Sequence, residues 1–213
     1  MKMRIELLVD AQEFWARLKA DLHQARKRAY IQALTFEGDR AGTGLGRALE
    51  RCPAEDRRLL VDGFSLLYHS DRCIPGPAWL DPEVRREVFR THRWVERLKT
   101  GGTSVRFCNP VGPSPIKLIR RNHKKIALVD DRIVYLGGIN FSDHNFAWHD
   151  MMLRVEDRDL ASRIAQDFRA TWEGKPRSTD CSVGPLRLIS LNGRKNAKRV
   201  GPILDSISSA QRS

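Results

Sequence analysis

The segment from residue 122 to residue 140, NHKKIALVDDRIVYLGGIN, contains a histidine, a lysine and an asparagine that are candidates for a catalytic site. His123 and Lys125 are two residues apart, so on a β-strand their side chains project to the same face. A neutral imidazole is a nucleophile, and an ammonium group binds phosphate oxygens. Asn140 can donate its amide to a phosphate oxygen as well. The pattern therefore predicts attack by a histidine on a phosphate ester.

Two further features of this segment bear on the site. The pair Gly137 and Gly138 allows the backbone to approach a ligand closely or to adopt positive φ, so Gly138 is a candidate phosphate-binding position. Asp130 completes the candidate catalytic set. It lies five residues after Lys125, however, and on a continuous strand it would face the opposite side. A structural role for Asp130 is therefore favoured over direct catalysis.

Predicted helices and strands alternate along the chain around this segment. Apolar residues at helical spacing predict helices, and short apolar runs bounded by turn residues predict strands. The predicted helices are residues 11–28, 45–51, 81–99 and 157–172, and the predicted strands are residues 30–36, 57–62, 104–107, 124–129, 132–136 and 151–155. Such alternation predicts an α/β fold in which helices cover both faces of a sheet.

Composition limits the classes of partner and of site. The net charge of +12 and the pI of about 10.1 favour anionic partners, which include nucleic acid, lipid headgroups and phosphate-bearing substrates. The four cysteines form no C-x-x-C pair, so neither a zinc site nor a redox site is predicted, and reduced thiols in a cytoplasmic protein are expected. No apolar run is long enough for a signal peptide or a membrane span, so any membrane contact is expected at the surface.

The segment resembles the signature of the phospholipase D superfamily, HxK-x4-D-x6-G-[GS]-x-N, at His123, Lys125, Asp130, Gly137, Gly138 and Asn140. The surrounding sequences RRNHKK, GGINFSDH, Trp148-His149-Asp150 and DFRATW resemble its bacterial cardiolipin synthase-like branch. The resemblance covers roughly residues 10 to 175. It implies a phospholipase D-like sandwich, with a mixed β-sheet flanked by helices on both faces.

The resemblance also implies a mechanism and a substrate. The motif histidine, His123, would attack phosphorus to form a phosphohistidine, while Lys125, Asn140 and Gly138 bind the phosphate oxygens. Asp150 would accept a hydrogen bond from His123 and fix its tautomer. No metal and no other cofactor is implied, and His144 and His149 lack the spacing of a zinc-binding pair. A phosphatidylglycerol-like phospholipid is the implied substrate, for a protein peripheral at the inner face of the membrane.

The superfamily mechanism uses two HxK motifs, and this chain has one. Ile203, Ile207 and Ala210 repeat the spacing of Leu18, Leu22 and Ala25, so the tail resembles the first helix of the chain. The chain therefore looks like the N-terminal half of a two-motif protein. Residues 1–175 would form the domain with the motif, residues 176–200 a linker, and residues 201–213 the start of a second, truncated repeat.

Two alternative functions stay open at this point. A metal-independent endonuclease of the same superfamily would work as a homodimer on nucleic acid. An inactive half-protein would only bind anionic lipid or nucleic acid. The preferred interpretation is a phosphodiesterase or phosphatidyltransferase whose second HxK motif comes from another half or from a dimer partner.

Overall fold

The computed structural model describes residues 3–69, 72–74, 76–111, 121–191 and 197–210. Residues 192–196 of the predicted linker and residues 211–213 of the predicted second repeat lie outside the described residues.

A seven-stranded sheet forms the centre of the fold. From edge to edge the strands are β1 (Arg4–Val9), β9 (Met151–Glu156), β8 (Ile133–Gly137), β7 (Lys125–Val129), β2 (Arg28–Ala33), β3 (Asp56–Asp62) and β6 (Thr103–Cys108). The pairs β2–β3 and β3–β6 are parallel, and the other neighbours are antiparallel. The predicted mixed sheet is therefore confirmed.

Six helices and two small hairpins accompany the sheet in the described residues. The helices are α1 (Asp10–Gln24), α2 (Arg40–Arg51), α3 (Pro82–Thr100), α4 (Asp143–Phe146), α5 (Arg158–Trp172) and α6 (Ala197–Ser208). The hairpins are β4 (Tyr68–His69) with β5 (Arg72–Cys73), and β10 (Thr179–Val183) with β11 (Leu186–Ser190). Two 3₁₀ turns, Gly63–Leu66 and Pro77–Leu80, complete the inventory.

Each face of the sheet has its own hydrophobic core. On one face, the buried residues of α1, α2 and α3 pack against alternate strand residues such as Ile31 and Leu59. On the other face, α5 and the β10–β11 hairpin cover Tyr30, and the Phe168 ring stacks on the Tyr30 ring at 4.7 Å. Burying one such side chain completely contributes about 1.5–3 kcal/mol. The central strands β2 and β7 are buried at nearly every position, as expected for strands whose two faces are both covered.

Local sequence signals set the helix starts that matter for the site. Asp81 is the N-cap of α3 and accepts a hydrogen bond from the Glu83 amide, with Pro82 at the first helical position, as predicted. Asp157 is the N-cap of α5 and accepts from the Leu160 amide. The Asp157 cap fixes where α5 begins after β9, and α5 in turn covers β7 and β8.

Three sequence predictions are corrected by the fold. Residues 4–9 form an edge strand that was not predicted, and α1 ends at Gln24 instead of Arg28, because β2 already begins at Arg28. The linker predicted over residues 176–200 is wrong for residues 179–190, which form a hairpin. Its inward residues, Val183 and Leu188 among them, pack on the α5 face. These inward residues alternate with polar residues, so the segment is polar on average and was predicted to be a linker.

The helices and the cysteines of the fold bear on two further predictions. Among the described helices, none combines the length and the apolar character that crossing a bilayer requires. All four cysteines carry free thiols, in agreement with the prediction. Burial raises the pKa of Cys108 to about 12, so this thiol stays protonated at neutral pH.

Candidate active site

The sheet brings the predicted site residues to one end of its central strands. Lys125 is the first residue of β7 and pairs with Gly137, the last residue of β8, which in turn pairs with Met152. His123 therefore precedes β7 at the same end at which Gly138 follows β8 and Asp150 precedes β9. Antiparallel pairing explains this convergence, because strand starts lie beside strand ends.

His123 and Lys125 are in direct contact. The Lys125 Nζ atom lies 2.8 Å from His123 Nδ1 and donates to the His123 carbonyl at 2.8 Å. A charged ammonium can only donate, so Nδ1 accepts and the ring proton of a neutral imidazole lies on Nε2. Lys125 is 5 % exposed, whereas His123 is exposed on its solvent side. The ammonium is thus buried beside an accessible imidazole.

The pKa values of both groups are lowered. Burial lowers the pKa of His123 below 6.5, the neighbouring charge of Lys125 lowers it further, and Asp62 acts in the opposite direction. Burial lowers the pKa of Lys125 to about 8, against the charge of Asp150, which raises it. At neutral pH the site therefore holds a neutral imidazole, suited to nucleophilic attack, beside an ammonium that is still mostly charged.

Asn140 is oriented by the end of β2. Its Oδ1 atom accepts a hydrogen bond from the Leu34 amide at 3.0 Å, and the residue is buried. Because the amide oxygen is engaged, the NH₂ group remains to donate to a ligand oxygen. The phosphate-binding role of Asn140 stays a prediction.

Asp150 lies beside the site, but in this structure it does not hold the histidine. Its Oδ1 accepts from the Met151 amide at 2.7 Å, and the predicted hydrogen bond to His123 is absent, because Nδ1 contacts Lys125 instead. The carboxylate packs over Gly138, where a β-carbon would overlap it. Glycine is therefore required at position 138 for the close approach of Asp150.

The structure places Asp130 away from the other predicted catalytic residues. It follows β7, about 16 Å along the strand from Lys125. Its Oδ1 accepts hydrogen bonds from the backbone amides of Arg26, Lys27 and Arg28, at 2.7–3.2 Å. These contacts favour the structural role that the sequence indicated, and a direct part for Asp130 in catalysis stays a prediction.

A buried carboxylate that the sequence did not reveal positions the segment before β7. Asp62, at the end of β3, is 1 % exposed. One of its oxygens accepts from Arg121, and the other accepts from the Asn122 amide and the Asn109 side chain, all at 2.8–2.9 Å. These bonds fix the backbone immediately before His123. The only sequence signal was an Asp-Gly turn, which gives no hint of a partner about 60 residues away.

A cavity of about 450 Å³ adjoins the motif on the α5 face. His123 and Lys125 line it together with an apolar group, namely Ile126, Leu136, Ile164, Leu188, Ile189 and Leu191. Lys124 and Ser190 both bond to Asp167 of α5, which ties the hairpin to the motif segment. The part of the chain predicted to be a linker therefore supplies one wall of this cavity.

A second group of potential ligand side chains lies apart from the motif. Glu37, His69 and Glu87 bring one ligand atom each within 4.8 Å of one another, and His69 Nδ1 lies 3.2 Å from Glu87. Although burial acts against it, hydrogen bonds with His69 and Glu37 hold the pKa of Glu87 below its usual value. Contacts within the cluster thus keep the Glu87 carboxylate charged. They also give His69 a partner, Glu87, that the sequence did not indicate.

The fold is shared with solved structures of the phospholipase D class. Nuc from Salmonella typhimurium, a phospholipase D family member, superposes with a TM-score of 0.55 at 14% identity, over 81% of this chain and 96% of that one. Phosphatidylserine synthase from Haemophilus influenzae Rd KW20 superposes with a TM-score of 0.55 at 19% identity, over 78% of this chain and 36% of that one. At these identities the likeness establishes the fold.

The family follows from sequence. Residues 18–172 match the model of the cardiolipin synthase, phospholipase D-like domain family, and the chain belongs to this family. Cardiolipin synthase from Listeria welshimeri is 29% identical over 204 residues, which cover 89% of this chain and 37% of that protein. The major cardiolipin synthase ClsA of Bacillus subtilis is 23% identical over 160 residues, 71% of this chain and 30% of that protein. The chain thus spans about a third of the length of these relatives.

Proposed function

We propose that this chain supplies one half of an active site that breaks the phosphodiester bond of a phospholipid, in a phosphatidyltransferase or phosphodiesterase like cardiolipin synthase. The observation that carries the proposal is that His123 and Lys125 line a largely apolar cavity. A nucleophile and a phosphate-binding cation beside apolar surface suit a substrate that joins a phosphodiester to hydrocarbon.

The cavity favours lipid over nucleic acid. Single-stranded nucleic acid is bound in cationic grooves with aromatic side chains on which bases stack. The described lining contains no phenylalanine, tyrosine or tryptophan, and two of its three cations, Lys124 and Arg121, are paired with Asp167 and Asp62. Its leucine and isoleucine side chains instead match the glycerol backbone and the first methylene groups of an acyl chain.

The proposed reaction has two steps. An imidazole nitrogen of His123 forms a bond to phosphorus while the bond from phosphorus to the first alcohol breaks, and the leaving oxygen takes a proton from the histidine of a second HxK motif. Water or a second alcohol, deprotonated by that histidine, then attacks phosphorus and releases His123. Lys125 and Asn140 bind the phosphate oxygens throughout, whereas the Gly138 amide already donates to the Met151 carbonyl at 3.1 Å.

Substrate binding also gives Asp150 its proposed role. A phosphate that draws the Lys125 ammonium away from His123 frees Nδ1 of the imidazole. The ring can then carry its proton on Nδ1 and donate a hydrogen bond from Nδ1 to Asp150. This tautomer presents Nε2 to phosphorus. The contact between Lys125 and His123 therefore belongs to the resting site.

An exposed apolar stripe supports the need for a second domain. On β1 and β9, Leu7 pairs with Leu153 and Val9 pairs with Met151, and all four side chains are exposed, Leu7 to 54% and Met151 to 56%. Met151 directly follows Asp150, so the stripe adjoins the site. Contiguous apolar surface of this kind is typical of a protein interface. We propose that a second domain with its own HxK motif packs there, and that the assembly lies peripherally at the inner face of the membrane.

The test is to trap the covalent intermediate. The chain, assembled with the domain or partner copy that supplies the second HxK motif, is incubated with vesicles of phosphatidylglycerol labelled at phosphorus, denatured in alkali and assayed for an acid-labile label on His123. We expect label on the wild type and on His92→Ala, which alters an exposed histidine of α3, and none on His123→Ala. Label from DNA but not from lipid would favour the endonuclease, and no label from either would favour a half-protein that only binds.

A further inference from the structure

A strongly basic cleft lies at the end of the sheet opposite His123. It has a volume of about 650 Å³ and lies between the start of β2, the β7–β8 turn and the outer face of α5. Two carboxylates, Asp130 and Asp131, line it. Its cationic side chains are Arg26, Lys27, Arg28, Arg132, Arg158 and Arg169, which leaves an excess of four positive charges.

The two carboxylates leave most of this charge uncompensated. The Oδ1 atom of Asp130 is engaged by three backbone amides, and Asp131 pairs with Lys27 at 3.4 Å and with Arg28 at 3.2 Å. Over the described ranges of the chain, Arg26, Arg132 and Arg158 have no carboxylate partner within 4.0 Å. Like charges held close together repel, and a bound anion would relieve that repulsion.

We propose that this cleft is a second anion-binding site, which takes a small soluble ligand with two or more phosphate groups. Guanidinium groups bind phosphate through paired hydrogen bonds, and an excess of four charges matches the charge of a pyrophosphate or a triphosphate. Ser162 and Gln166 of α5 add neutral hydrogen-bonding groups to the lining.

The shape and lining of the cleft separate this ligand from macromolecular anions. The described lining holds no aromatic side chain, so there is no platform for stacked nucleic-acid bases. The cleft is concave, whereas a membrane presents a broad surface of headgroups. The site also lies about 16 Å along β7 from Lys125, so it is separate from the phosphate-binding residues of the proposed active site.

Calorimetric titration with sodium tripolyphosphate tests the proposal on the intact chain. The variant Arg132→Glu/Arg158→Glu removes two cations of the cleft, and Arg86→Glu/Arg93→Glu makes the same change in net charge at exposed positions of α3, which packs on the opposite face of the sheet. At roughly 0.1 M salt we expect the first variant to raise the Kd for tripolyphosphate at least about tenfold, because each of its two substitutions removes a charge-assisted contact. The control variant and Lys125→Ala should bind within about twofold of the wild type.

Several results would overturn the proposal. Equal loss in both double variants would mean that tripolyphosphate responds to net charge alone. Loss in Lys125→Ala would place the ligand at the active site. Binding of phosphatidylglycerol vesicles or single-stranded DNA that depends on Arg132 and Arg158, without tripolyphosphate binding, would assign the cleft to a macromolecule. None of these outcomes depends on phospholipid turnover, so the proposed function is tested separately.

Discussion

The Lys125 ammonium lies against the imidazole of His123, with 2.8 Å between Nζ and Nδ1. Each residue changes the chemistry of the other. The cation favours a neutral imidazole, and the buried position of the lysine makes its ammonium a stronger acid than usual. A pair of residues two apart on a strand therefore provides both the nucleophile and the cation that binds its target.

Replacement of Lys125 by methionine should change the titration of His123. The charge of Lys125 lowers the pKa of His123, so its removal should raise that pKa towards the ordinary value of about 6.5. Titration of the His123 ring followed by NMR measures this directly, with Lys99→Met, a change at an exposed position of α3, as control. A His123 pKa that is the same in both variants would contradict the contact.

The pH profile of turnover should have two limbs. The nucleophile is the neutral form of His123, so activity should rise with pH through a value below 6.5. The phosphate-binding form of Lys125 is protonated, so activity should fall as pH passes about 8. Measurement of kcat from pH 5 to 10 tests both limbs. In Lys125→Arg, whose guanidinium stays protonated, the alkaline limb should move out of this range.

Asp62→Ala should destabilise the fold strongly. The substitution leaves Arg121, whose side chain is 11% exposed, without its carboxylate, and it removes the acceptor of the Asn122 amide. Removal of one partner of a buried ion pair costs about 3–5 kcal/mol of unfolding free energy. Urea unfolding measures the loss, with Asp131→Ala as control, because exposed ion pairs contribute about 0–1 kcal/mol. Equal stabilities of the two variants would show that Asp62 does not hold this segment.

Substitutions of Asp130 should affect stability and leave the chemistry intact. Its φ is +53°, a conformation that asparagine tolerates better than alanine, and an amide oxygen can still accept from the three backbone amides. We expect Asp130→Asn to be mild and Asp130→Ala to cost about 2–4 kcal/mol, as lost hydrogen bonds add to backbone strain. Thermal unfolding and kcat per folded molecule separate the effects. Loss of kcat in a stable Asp130→Asn protein would return Asp130 to the catalytic set.

Local patterns predicted the parts of the molecule that depend on local interactions. The β7–β8 hairpin was predicted to within one residue at each end, because apolar runs flank the Asp130-Asp131 turn. Asp62 and Leu188 were missed as site residues because each acts on the motif across about 60 residues of chain. Such pairs arise from strand order and hairpin docking, and no short window of sequence contains them.

A tryptophan at Leu188 should discriminate between lipid and small substrates. Leu188 lines the cavity from β11, so the larger side chain should obstruct an acyl-glycerol group while leaving His123 accessible. We expect KM for phosphatidylglycerol vesicles to rise about tenfold or more, since apolar contacts worth 1–3 kcal/mol are lost. Hydrolysis of bis(4-nitrophenyl) phosphate should hardly change. Arg187→Trp, on the opposite face of the same strand, is the matched control. Equal losses on both substrates would indicate a folding defect, and unchanged lipid kinetics would remove the cavity from the substrate path.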